Sequence, residues 1–201
     1  TIRLDIDATN LGQRIFKVRQ TIPAQPGRLT LLYPMWVPGG HSPRNAIDKI
    51  AGLTFKANGT RLAWKRDPLD VAAFHVVVPD GVSEITAEFD FLTATGTGQG
   101  RVVMTPNMLN LQFLSTVLYP AGHYASKILF DPRVTYPAGW TAFTALHEQG
   151  RSGNTVDYQD VPLDILVDSP VYAGRHAKNI DLTPDGSKVL VRLGTVADAA
   201  K

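Results

Sequence analysis

Leu53-Thr54-Phe55-Lys56-Ala57-Asn58-Gly59-Thr60-Arg61-Leu62-Ala63-Trp64-Lys65 (LTFKANGTRLAWK) decides the fold class. Leu53, Phe55 and Ala57 alternate with Thr54 and Lys56, the period of two expected of a strand with one buried face. Asn58-Gly59 readily accepts the positive φ angles of a type I′ turn, so residues 61–65 are predicted to return as the second arm of a hairpin. The same alternation extends along the chain. Ile2, Leu4 and Ile6 oppose Arg3, Asp5 and Asp7, and residues 15–20 return from an Asn10-Leu11-Gly12 turn. Residues 29–33 are almost wholly apolar, as expected of a strand buried on both faces. Residues 74–78 and 85–92 are predicted to pair across Pro79-Asp80-Gly81. Further strands are expected over 102–104, 109–114, 126–130, 134–136, 141–146, 156–159, 171–173, 179–182 and 188–193. Only residues 162–167 suit a helix, with Pro162 at a start where its missing N–H costs nothing. The reading is an all-β protein: a β-sandwich or saddle-shaped pair of antiparallel sheets, with at most one or two short helices.

Composition agrees. Fifteen Asp stand against three Glu, and 14 Pro and 17 Gly are spread along the chain. Asp, Pro and Gly serve turns and caps, whereas Glu serves helix interiors. A length of 201 residues, 44% of them hydrophobic, can bury a real core. The domain is read as residues 1–194, with 195–201 a linker or the start of the next domain. A net charge of +2 without a Lys/Arg run offers no footprint for nucleic acid. No stretch approaches the roughly 18 apolar residues of a membrane helix. With no Cys, a periplasmic, secreted or cytoplasmic location is equally compatible. Thr1-Ile2-Arg3-Leu4 has neither an initiator Met nor an apolar leader, and reads as a processed or trimmed end.

Three segments carry more than patterning. Residues 33–43 (YPMWVPGGHSP) hold three prolines, which fix φ and remove donors, so the segment lies outside any sheet interior. It presents Trp36 and His41 on a rigid loop; Trp36 either plugs one end of the sandwich or binds a ligand. Residues 101–112 (RVVMTPNMLNLQ) set the amides Asn107, Asn110 and Gln112 among Met104, Met108, Leu109 and Leu111. Amides in such company must be satisfied by backbone, by a neighbouring domain or by a ligand. They therefore serve bulges and turns, or line a substrate cleft. Leu166-Val167-Asp168-Ser169-Pro170 reads as a turn ahead of a proline.

Several chemistries are disfavoured. His147-Glu148 is followed by Gln149, Gly150 and Arg151, so the second zinc-ligand position of H-E-x-x-H holds a cation, and the glycine-rich surroundings predict a turn. His147 reads as a solvated residue at a strand end. The G-x-G-x-G of residues 96–100 precedes no helical pattern and is no nucleotide cradle. No G-x-S-x-G elbow accompanies the scattered His and Ser, and His75 reads as an ordinary strand residue.

These motifs resemble the N-terminal domain of the glycyl-aminopeptidase family, zinc metallopeptidases that usually end in a PDZ domain. Trp36, Pro38 and Gly39 match a W-x-P-G pattern, Pro137-Ala138-Gly139-Trp140 a P-x-G-W strand entry, and Leu166–Pro170 with Gly174 and His176 an L-V-D-S-P element. The resemblance runs from Tyr33 to His176 and implies a domain without its own catalytic groups. In the intact enzyme, a zinc-bound water would attack the first peptide bond with a glutamate as base. Zinc is therefore expected in the missing catalytic domain and no cofactor in this chain. That domain and a peptide with a free N-terminus are the implied partners. The aminopeptidase-N superfamily, similar in architecture, holds the substrate amine with a loop of its β domain. By order along the chain this loop falls between Met104 and Gln112, so Met104, Asn107, Asn110 and Gln112 are the substrate-binding candidates. If a catalytic domain covers one face, a contiguous apolar patch including residues 104–114 is expected there. The competing expectation is a carbohydrate- or peptide-binding module with an exposed aromatic platform drawn from Trp36, Trp64 and Trp140.

Overall fold

A computed structural model describes residues 1–36, 41–43, 45–96, 98 and 103–199. Pro38 and Gly39 of the first motif, Gly100 of the glycine run, and Arg101 and Val102 of the second motif lie outside the described residues. The strands are β1 (Ile2–Asp7), β2 (Ile15–Pro23), β3 (Gly27–Leu32), β4 (Ile50–Ala57), β5 (Thr60–Leu62), β6 (Trp64–Arg66), β7 (Ala73–Val78), β8 (Glu84–Leu92) and β9 (Met108–Leu111). They continue as β10 (Tyr119–Pro120), β11 (Leu129–Thr135), β12 (Thr141–Phe143), β13 (Glu148–Ser152), β14 (Thr155–Tyr158), β15 (Val161–Pro162), β16 (Val171–Gly174), β17 (His176–Asp181) and β18 (Arg192–Ala197). Among the described residues a single α-helix, α1 (Leu163–Val167), starts after Pro162 as expected. The protein is all-β, and among the described residues no helix is long and apolar enough to cross a membrane.

The largest sheet has nine strands in the order β13-β14-β11-β1-β2-β8-β4-β5, with β15 also on β11. Sheets β10-β3-β7-β6 and β12-β16-β9 and the ribbon β17-β18 complete the fold. The alternation in β1, β2 and β8 buries one face only: Ile2, Leu4 and Ile6, then Phe16, Val18, Gln20 and Ile22, then Ile85, Ala87, Phe89 and Phe91. These join Phe55, Phe74, Phe113 and Phe130 in one core. Gln20 is the polar member, and it is satisfied: its Nε2 donates to Leu118 O at 2.9 Å and its Oε1 accepts from Leu118 N at 2.7 Å. The opposite face is a ladder of exposed charges, with Lys56–Glu88 at 2.5 Å and Arg3–Asp131 at 3.5 Å. Half-solvated pairs of this kind add little stability.

The central hairpin turns as predicted, with Asn58 at φ 47° and Gly59 at φ 79°. Its second arm does not stay in one sheet. β5 pairs with β4, then Trp64–Arg66 crosses to pair with β7. This places Trp64 edge-on between Phe55 and Phe74, with centroids at 6.1 and 5.6 Å, so the switch lets one aromatic join both sheets.

Other expectations are corrected. β7 and β8 do not pair across residues 79–81: β7 lies between β3 and β6, and β8 between β2 and β4. Each brings an apolar face to the core from opposite sides, which a hairpin in one sheet would not allow. β3 is not buried on both faces; Arg28 is exposed and Leu29, Thr30 and Leu32 are half-buried. Residues 126–130 and 134–136 belong largely to one strand, β11, preceded by a 3-10 turn at Ala125–Lys127. β11 runs parallel to β1, an exception to the antiparallel expectation. Pro132 falls between its pairing with β15 and its pairing with β14, where no partner asks for the missing N–H. Gly150 lies inside β13 at a bulge, and the turn sits at Gly153, φ 61°. The last strand starts at Arg192 and runs through Ala197, into the stretch read as linker. The predicted apolar patch over residues 104–114 is absent. Met104, Leu109, Leu111 and Phe113 are completely buried, because β9 is held by β16 and directs its apolar side chains into the core.

His75 lies in a strand, as read, but its ring is engaged at both nitrogens. Nε2 lies 2.8 Å from Asp67 Oδ2 and Nδ1 2.9 Å from Thr30 Oγ1. The His75 contact, helped by the Asp70 and Leu69 backbone N–H groups, holds the Asp67 carboxyl at about 2, below its ordinary 3.8. A depressed carboxyl contributes stability that is complete above its unfolded value and fades as pH falls towards 2. A carbon-detected NMR titration should therefore find Asp67 half-protonated near pH 2. His75→Ala should raise that midpoint only partway, since the backbone donors remain; an unchanged midpoint would remove His75 as the main cause.

Candidate functional site

Where β9 leads into the 3-10 turn Phe113–Ser115, the chain borders a cleft of about 490 Å³. Its polar lining comprises Asn45, Asp48, Lys49, Thr93, Asn110, Gln112 and Ser115, and Phe16 and Phe91 contribute apolar wall. Three segments far apart in sequence thus meet: the loop after the prolines, the end of β8 and the end of β9.

Asn45 holds the first of these in place. Its Nδ2 donates to Pro34 O at 2.6 Å and to Leu114 O at 2.7 Å, and its Oδ1 accepts from Ala46 N at 3.0 Å and Ser115 Oγ at 3.3 Å. A side chain 8% exposed therefore spends both donors and its acceptor on backbone and hydroxyl. Beside it Tyr33 Oη is buried without a hydrogen-bond partner among the described residues. Burial pushes the Tyr33 phenol well above its ordinary value; Ser115 and Asn45 stand close enough to temper the shift, yet neither completes a well-formed bond to Oη.

The predicted residues separate into two groups. Asn110 and Gln112 line the cleft together. Gln112 Nε2 donates to Asn110 Oδ1 at 2.6 Å, and Asn110 Nδ2 reaches Val171 O at 3.5 Å. Gln112 Oε1 accepts no bond among the described residues. Asn107 does not line the cleft: its Nδ2 donates to Asp198 O at 2.7 Å and its carbonyl accepts from Arg175 N at 2.9 Å. It ties down the C-terminal segment. Gly174 is needed beside it, since a Cβ there would come within 3.0 Å of Asn107 O. Met104 does not line it either, being completely buried and bridged to Leu109. Asn45, Asp48 and Ser115 were not singled out from the sequence. The signal available was an amide two residues beyond the third proline of the YPMWVPGGHSP loop.

The remaining motifs are structural. In the Leu166–Pro170 element Ser169 Oγ donates to Ile165 O at 2.8 Å, closing α1 before β16. Trp140 is buried behind the Gly139 turn. Trp36 is no plug: it is 63% exposed and, with Tyr119, His123 and Tyr124, borders a separate cleft of about 540 Å³. The residues here do not fit a zinc site. His147-Glu148 lies at the start of a strand, and Arg151 occupies both Glu148 carboxylate oxygens at 3.0 and 2.8 Å, holding that carboxyl below its ordinary range. No group of three or more metal-ligating side chains forms among the described residues.

Comparison with known proteins agrees with this architecture. A solved aminopeptidase N family protein from Idiomarina loihiensis is 17% identical, with a TM-score of 0.78 over 98% of this chain and 32% of its own. An M1 zinc metallopeptidase from Deinococcus radiodurans, solved with a Tyr-Ser-Ala substrate, is 14% identical, with a TM-score of 0.52 over 95% of this chain and 46% of its own. The chain thus spans less than half the length of the solved chains it resembles, and at these identities the likeness is one of fold. No match was found among curated proteins. The model of the peptidase M61 N-terminal domain matches residues 3–175, and the chain belongs to that family.

Proposed function

We propose that this chain is the non-catalytic N-terminal domain of a zinc metallo-aminopeptidase of the glycyl-aminopeptidase kind. It packs on the catalytic domain and contributes the Asn110–Gln112 edge to the substrate cleft. The observation that carries this reading is the state of Gln112, whose Nε2 is anchored on Asn110 while its Oε1 has no partner among the described residues. An acceptor held in this way, in a cleft that the exposed Asp48 carboxylate and Lys49 also line, can receive the ammonium of a free peptide N-terminus. Zinc and its general base belong to the catalytic domain, and no group among the described residues of this chain replaces them.

The isolated 201-residue chain is expected to bind no stoichiometric zinc and to cleave no aminoacyl substrate. A longer polypeptide carrying the catalytic domain should cleave peptides with a free N-terminus and leave N-acetylated ones intact. Metal analysis and an aminopeptidase assay check both; one zinc per isolated chain, or turnover by it, overturns the reading.

A stand-alone binding module has one observation in its favour, the exposed pair Trp36 and Tyr124, 63% and 84% exposed. Trp64 and Trp140 offer it no platform. Quenching of Trp36 fluorescence by soluble oligosaccharides or peptides would support that reading.

A further inference from the structure

The β17–β18 ribbon forms a sheet of its own. No residue beyond Ala173 enters the hydrophobic core. Its register pairs Ile180 with Leu193, and Leu182 N donates to Val191 O at 2.8 Å. Opposed residues share a face, as do residues two apart along a strand. Ile180, Leu182, Val191 and Leu193 therefore form one apolar cluster, extended by Val189 at the turn. These five side chains are 43–69% exposed. The other face carries Asn179, Asp181 and Arg192 away from the domain, and Ala177 and Val196 next to it. Gly194 on that face lies so near Phe143 of β12 that a Cβ would come within 2.4 Å of its ring. The ribbon is thus seated on the domain through Gly194 and Val196 of this face, and it presents the Ile180, Leu182, Val191 and Leu193 cluster outward.

An isolated two-stranded ribbon is marginal in water and needs further strands or a packed face. Neither outer edge of β17–β18 is paired among the described residues. The family model ends at Arg175, one residue before the ribbon begins. The likeness to the solved aminopeptidase N family protein nevertheless covers 98% of this chain, which is only 32% of that protein. The ribbon therefore lies outside the N-terminal domain proper and inside the architecture shared with much longer chains. We infer that the apolar face of β17–β18 is the docking surface for the catalytic domain that follows in the same polypeptide. That domain covers Ile180, Leu182, Val191 and Leu193 and extends the ribbon at a free edge. The inference rests on the proposed function, but it concerns a surface away from the Gln112 cleft.

Hydrogen exchange measured by mass spectrometry on this chain, and on a longer polypeptide containing the next domain, tests it. Amides of residues 179–182 and 190–195 should exchange at least about tenfold more slowly in the longer polypeptide. The double variant Val191→Ser/Leu193→Ser should abolish that protection. In this chain alone it should move Tm by no more than about 2 °C, because the exposed side chains contact little. Equal exchange in both wild-type proteins overturns the inference. So does protection in this chain alone accompanied by a dimer in sedimentation, which would make a second copy the occupant. A longer polypeptide with a protected ribbon but no aminopeptidase activity would sink the proposed function and leave the docking surface standing. Activity with an unprotected ribbon would do the reverse.

Discussion

Asn45→Ala should destabilise the domain by about 3 kcal/mol, because it orphans acceptors that water cannot reach. The Asn45 amide donates to Pro34 O and Leu114 O, both on buried residues, and each carbonyl left unpaired costs roughly 1–3 kcal/mol. In a domain of this size that corresponds to a Tm lower by roughly 6–12 °C. Asn45→Asp separates the contributions: it keeps an acceptor for Ala46 N and Ser115 Oγ while losing both donated bonds. It should fall nearly as far as Ala. Chemical and thermal denaturation of the two variants give the answer. A loss below about 1 kcal/mol for Ala would mean that the loop holds its place without the clamp. The clamp also sets the cleft, since Asn45 and Ser115 both line it. Loosening it should lower the activity of the intact enzyme as well as stability.

Asn45 also shows where sequence reasoning stops. Its partner Leu114 is 69 residues away, and nothing local in Ser42-Pro43-Arg44-Asn45 says that the amide is buried. Asn58-Gly59 was legible because a type I′ turn is decided by the two residues that adopt it. The alternations of β1, β2 and β8 were legible because each strand is long enough to show its period against one solvated face. Pairing was less so. Pro79-Asp80-Gly81 marks a reversal of direction, but β7 and β8 enter different sheets, a choice made by the two apolar faces meeting across the core. β9 is four residues long, too short for its alternation to separate Leu109 and Leu111, which go inward, from Asn110, which borders the cleft. The third amide, Asn107, differs from the other two only through Asp198, 91 residues downstream. Amides amid apolar residues were thus identifiable as a group, whereas their separate duties depend on contacts that no local pattern encodes.

Those separate duties lead to the second large effect. Gln112→Ala in the intact enzyme should lower kcat/KM roughly ten- to hundredfold, the equivalent of losing a hydrogen bond to a charged group worth about 1.5–3 kcal/mol. The stability of this domain should barely change, because the one side-chain bond of Gln112 is to Asn110 at 2.6 Å, at the edge of a cleft. Gln112→Glu should retain most of the activity, since a carboxylate also receives an ammonium group. Asn107→Ala should behave in the opposite way. It removes the bond to Asp198 O, so it should loosen the C-terminal ribbon and leave kcat/KM per folded molecule unchanged. Measuring Tm of the domain and kcat/KM of the enzyme for each variant separates a substrate-facing amide from a structural one. If Gln112→Ala lowers Tm as Asn107→Ala does and leaves per-molecule activity intact, Gln112 is structural. The ammonium must then be held by other groups, with Asp48, the exposed carboxylate of the same cleft, the next to replace.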